Sequence, residues 1–149
     1  MKKIGLFLML GILFVLVSGC ASTVQFVQLP DQNKTIEDLE KGRIYVMRPA
    51  TVGMAIPMLV TEGGKTIGET GPKGYLCWER EPDETQILSQ AENTDALNLN
   101  VQKGIVYYIF QHVRMGWVKA RNELGLVNED EGKNVLKKCS PPTVKASKK

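Results

Sequence analysis

The stretch from Ala96 to Gln102 constrains the fold most, because Leu97, Leu99 and Val101 alternate there with Asn98, Asn100 and Gln102. Successive side chains of a strand point to opposite faces, so this pattern predicts a strand with one dry face and one wet face. Lys103-Gly104 then turns the chain into Ile105 to Val113. That run is apolar on both faces and is expected at the centre of a sheet. Strands of these two kinds need a second layer to cover their apolar sides.

Further runs carry the same signature. Arg43 to Arg48 is rich in β-formers and ends at Pro49. Ile56 to Thr61 and Thr66 to Thr70 flank Glu62-Gly63-Gly64-Lys65, whose glycines suit a hairpin turn that requires positive φ. Tyr75 to Arg80 places Tyr75 and Cys77 on one face and Leu76 and Trp78 on the other. Thr85 to Ser89 and a stretch holding Leu124, Leu126 and Val127 complete the strands. Asn128 and Glu131 then form an N-x-x-E pattern that opens a helix through Lys138, with Glu129 and Asp130 at its start and Lys137 and Lys138 at its end. Gly132 argues against that helix on propensity. The expectation is a mainly β chain: an antiparallel β-sandwich of about seven short strands with a short C-terminal helix.

The start of the chain is of a different kind. Lys2 and Lys3 precede an uncharged run from Ile4 to Val17, and Val17-Ser18-Gly19-Cys20 follows. A charged start, a short apolar run and small residues are the parts of a secretory signal peptide. A bilayer core needs about 20 apolar residues, so the run is too short for a permanent span. The last four residues resemble the lipobox of bacterial lipoproteins. That resemblance implies cleavage before Cys20, with diacylglycerol on its sulfur and an acylated amine. Two or more acyl chains hold a protein stably at a membrane. Ala21 in place of an aspartate implies the outer membrane, facing the periplasm. The chain thus divides into a signal peptide over 1–19, a lipidated N-terminus and tether over 20–41, a sandwich domain over 42–138, and a disordered basic tail over 139–149.

Charge argues against nucleic acid as a partner. The whole chain carries 19 basic and 16 acidic residues, and loss of Lys2 and Lys3 leaves 17 against 16. Lys145, Lys148 and Lys149 lie in the tail, which leaves a nearly neutral body. With Cys20 lipidated, Cys77 and Cys139 remain in an oxidising compartment, and a disulfide between them is expected. Two cysteines alone do not make a structural zinc site.

Catalytic groups are sparse. His112 is the single histidine, and it falls in the apolar run 105–113 as a packed or rim residue. With Met115 and Met54 or Met58 it offers a soft-metal reading, but methionines at such positions more often fill a core. Glu79, Glu81, Asp83 and Glu84 crowd one strand end as a solvated charge run, and no phosphate-binding glycine loop occurs. No enzyme, cofactor or metal is expected.

Three segments carry a family resemblance: Gly42-Arg43-Ile44-Tyr45-Val46-Met47-Arg48-Pro49, Thr61-Glu62-Gly63-Gly64-Lys65-Thr66-Ile67-Gly68, and Gly104-Ile105-Val106-Tyr107-Tyr108. Over about residues 42–137 the chain resembles the domain of unknown function 2846 (DUF2846), largely small bacterial lipoproteins. The resemblance implies a compact sandwich similar to the PEGA type and no activity. The functional expectation is a lipid-anchored, non-catalytic binding or accessory module meeting an envelope protein or peptidoglycan. The alternative is a small periplasmic hydrolase using Glu79, Glu81 or His112. Sandwiches carry function on loops and edges, which directs attention to the 49–58 loop with Thr51, Met54 and Pro57, and to the turn from Trp78 to Asp83.

Overall fold

The seven residues of β2 (Gly42–Arg48) are all buried, and the layers are arranged around them. In the computed structural model, which describes residues 21–53, 55–115 and 120–145, β2 lies inside a four-stranded sheet. Its neighbours are β5 (Gly74–Arg80) on one side and β8 (Val106–Met115) on the other, with β9 (Ala120–Val127) beyond β8. The second sheet has six strands, in the order β10 (Thr143–Val144), β1 (Val24–Gln25), β4 (Lys65–Thr70), β3 (Met58–Glu62), β6 (Asp83–Gln90) and β7 (Thr94–Val101). The helix α1 (Glu129–Leu136) follows β9.

The protein is mainly β, a two-sheet sandwich with a short C-terminal helix, as its patterning predicts. Ten strands stand among the described residues where about seven were expected. Both sheets are mixed, because β2 pairs in parallel with β8 and β1 in parallel with β10. The reason is connectivity: β2 and β8 are joined through five intervening strands, so no hairpin forces them antiparallel.

Each face of the four-stranded sheet has its own cover. Ile44, Val46, Leu76, Trp78, Ile109 and Leu124 face the six-stranded sheet and meet Val60, Ile67, Ile87, Leu99 and Val101. Tyr45, Met47, Tyr75, Cys77, Tyr108 and Phe110 form a second core on the opposite face. Val135, Leu136 and Leu29 pack there, so α1 and the chain before β2 make a third layer. This explains why β2 and the first half of β5 are dry on both sides, whereas β7 keeps Asn98 and Asn100 exposed. Asn128 caps α1 by accepting from the Glu131 amide at 2.9 Å. Gly132 is required rather than tolerated, since a Cβ there would run into the Tyr108 ring.

Three expectations are corrected. The described part of the 20–41 segment is no tether: Val24, Gln25 and Ile36 are buried, and residues 31–38 bond to the sheet. The 139–149 tail is ordered through Lys145, because Thr143–Val144 adds to the sheet beside β1 and the Lys145 amide donates to the Gln25 carbonyl at 2.8 Å. Cys77 and Cys139 are free thiols and not a disulfide. Both touch the second core, but the Cys77 sulfur is engaged by Gln32 Nε2 at 3.6 Å. Residues 1–20, which hold the signal-peptide and Cys20 assignments, lie outside the described residues.

Candidate functional site

The strands run between two ends of the sandwich, and each end is built around a buried arginine. Where β2 stops, the Arg48 side chain is fully buried and fans its guanidinium into the following loop. Nη1 donates to the carbonyls of Ile56 at 2.7 Å and Thr70 at 3.0 Å, and Nη2 to those of Val52 at 3.2 Å and Gly53 at 2.8 Å. The loop 49–57 is therefore wrapped around a cation, with these carbonyls inward. Thr51, Val52, Ala55 and Pro57 are left exposed, and Met54 lies outside the described residues. Among the described residues no carboxylate faces Arg48, and its Nε has no partner. Burial pulls the guanidinium below its ordinary pKa.

At the opposite end Arg43 is paired. Its Nη2 lies 2.7 Å and its Nε 2.8 Å from Glu79 Oε1, and both side chains are nearly inaccessible. Arg43 also donates to the carbonyls of Lys34 at 2.6 Å and Asp31 at 3.1 Å. Glu79 accepts in addition from the amides of Glu37 at 2.7 Å and Asp38 at 3.1 Å. The hydroxyls of Tyr45 and Tyr75 both donate to Gln32 Oε1, at 3.3 and 3.1 Å. Burial raises the pKa of each tyrosine. The whole network fastens the 30–41 segment over the second core.

The residues weighed for hydrolysis are not brought together. Glu79 is consumed by Arg43 and two amides, while Glu81 is exposed beside Lys41 at 3.7 Å. His112 is exposed on β8, edge-on to Phe110 at 5.7 Å between ring centroids and opposite Glu123. Register through Arg43 sets Glu79 level with Val106, six residues along β8 from His112 and roughly 20 Å away. Met58 is core, Met115 is exposed, and no group of three His, Cys, Asp or Glu among the described residues could hold a metal. Trp78 is also core, with its indole donating to Glu62 at 3.1 Å, so the turn after it presents no aromatic surface.

A surface that sequence reasoning passed over lies on the wet face of β6 and β7. Glu84, Gln86, Asn98 and Asn100 line a shallow groove of about 560 Å³. Gln86 Nε2 donates to Asn98 Oδ1 at 3.0 Å, which sets these two amides side by side across the strands. The signal was the alternating asparagines of β7, read only as exposure.

No family model and no solved structure matches the chain. It is 30% identical over 132 residues to a protein of Haemophilus influenzae described as uncharacterized, an alignment that covers 85% of this chain and 77% of that one.

Proposed function

We propose, for a chain that belongs to the family of this Haemophilus influenzae protein, the role of a lipid-anchored, non-catalytic binding module of the bacterial envelope. Cys20 is its anchor and the periplasmic side of the outer membrane its place. The lipobox-like segment Val17-Ser18-Gly19-Cys20 supports the anchor. The carrying observation is the fate of Glu79, the best-placed acid: it is held by a buried guanidinium and two backbone amides, so its lone pairs serve the fold. A carboxylate bonded in this way is a fastening and not an acid-base group.

Binding is assigned to the amide-lined groove. Gln86, Asn98 and Asn100 each offer both donors and acceptors, a set suited to a ligand rich in hydroxyls and amides. A protein partner would call for an apolar interface core with aromatic anchors, which the groove lacks. Peptidoglycan, a polar polymer of sugars and peptides, fits it better.

The test is co-sedimentation of the detergent-solubilised full-length protein with purified peptidoglycan sacculi. The wild type should sediment, and a Gln86→Ala, Asn98→Ala double variant should stay in the supernatant at unchanged melting temperature. Equal sedimentation of both removes the groove. No sedimentation of either, together with a crosslinked protein in cells, replaces peptidoglycan by a protein partner.

A further inference from the structure

The first described residues emerge beside the Arg48 loop. Ala21 and Ser22 share a shallow groove of about 410 Å³ with Ala55 and Pro57. They have no slack. The Ala21 carbonyl packs directly on Gly71, where a Cβ would collide with it, and Thr23 Oγ1 accepts from the Gly71 amide at 2.9 Å. The described chain therefore begins at this end of the sandwich, at Ala21, the residue that follows Cys20 in the sequence. A lipid on Cys20 would bring the same end to the bilayer with no spacer between.

We propose that the end of the sandwich formed by the 49–57 loop and the tip of β8 docks on the lipid surface in which Cys20 is anchored. The inference rests on the lipoprotein reading above and adds an orientation to it. A loop entering the lipid interface must satisfy its own backbone. Arg48 does this from inside, taking the carbonyls of Val52, Gly53 and Ile56 and leaving Val52, Ala55 and Pro57 outward. Met115, 76% exposed, lies at the same end, where β8 and β9 run on beyond the end of β2.

Charge favours the same orientation. Lys73, Arg114, Arg121 and Lys145 lie toward this end, with Glu69, Glu92, Asp95 and Glu123 as the acids near them. Leu39 and Ile105 are exposed at the opposite end, but Glu37, Asp38, Glu40, Glu81, Asp83 and Glu84 gather there and outnumber Lys41 and Lys103, which pair with Asp38, Glu81 and Glu40. An anionic lipid surface repels such a cluster. Docking by the Arg48 end leaves Glu84 and Asn100 of the polymer-binding groove on the side away from the bilayer.

The test uses the full-length lipidated protein in vesicles of phosphatidylethanolamine and phosphatidylglycerol. Ala55→Cys in a Cys139→Ser background carries a nitroxide, with Asn98→Cys as the comparison site; Cys77 is buried and stays unlabelled. The Ala55 label should become at least tenfold more accessible to oxygen than to a water-soluble nickel complex, relative to the Asn98 label. Vesicle-bound protein whose two labels see nickel equally overturns the docking while leaving the anchor intact. Protein without lipid mass that fails to float with the vesicles overturns the anchor and the docking together.

Discussion

Gln25 does for Cys77 what a neighbouring strand would do. The Cys77 amide donates to Gln25 Oε1 at 2.9 Å, and Gln25 Nε2 donates to the Cys77 carbonyl at 2.7 Å. A side-chain amide from one sheet thus closes the open edge of β5 in the other. The far edge is closed in the same manner, where Asn93 and Asp95 accept from the amides of Asn122 at 2.8 Å and Leu124 at 2.6 Å. Unpaired strand edges invite association with other chains, and here they are capped by side chains.

Replacing Gln25 by Ala strands a buried donor and a buried acceptor. Each unsatisfied group costs about 1–3 kcal/mol, so Gln25→Ala should lower stability by about 3 kcal/mol in urea denaturation. Gln25→Glu keeps the acceptor but loses the donor and brings a charge into a dry site. It should be no better than Ala.

The Arg43–Glu79 pair should behave as a buried salt bridge. Removing one partner leaves the other charge uncompensated, and Glu79→Gln is expected to cost about 3–5 kcal/mol. The Arg43→Met, Glu79→Leu double variant should recover much of that loss. A double variant as unstable as the single one would mean that the network is needed for its hydrogen bonds to residues 31–38.

Gly132→Ala tests packing against propensity. Alanine should gain about 1 kcal/mol in an exposed helix. Here the added methyl meets the Tyr108 ring, so the helix must move off the sheet. A net loss of about 1–3 kcal/mol is expected.

Alkaline pH should weaken the fold through Cys77. Burial pushes its thiol up to about 11 from an ordinary 9.0. The unfolded chain therefore releases this proton first, and stability is constant below about pH 8 and falls by about 3 kcal/mol between pH 9 and 11. Cys77→Ala should reduce the slope between pH 9 and 10, leaving the part contributed by half-buried Cys139, whose thiol burial also raises. The buried tyrosines Tyr45 and Tyr75, also raised, leave a decline at higher pH. Thiol labelling of native protein at pH 8 should modify half-buried Cys139 and spare Cys77.

The strands were legible where a period of two was written into them. Leu97, Leu99 and Val101 turn inward and Asn98, Asn100 and Gln102 outward, and the split of Tyr75 and Cys77 from Leu76 and Trp78 separates the two cores. What hid was structure made by single contacts. Residues 26–41 have no apolar period; Ile36, Gln32 and backbone groups dock them, so they read as a tether. Thr143–Val144 is too short to carry any period. The parallel pairing of β2 with β8 depends on crossovers that local residues do not encode. Arg48 reads in the sequence only as the end of a strand before Pro49, because nothing in its neighbours announces four inward carbonyls. Gly132 misled in the other direction, as a helix breaker where close packing demanded it.

The most direct test of the central claim is the intact mass of the protein extracted from the outer-membrane fraction of the native cell. The predicted result is a chain that begins at Cys20 and carries diacylglycerol with a further acyl group on its amine, reduced to unmodified precursor by Cys20→Ser. A chain that retains residues 1–19, or one that begins elsewhere without added lipid mass, would contradict it.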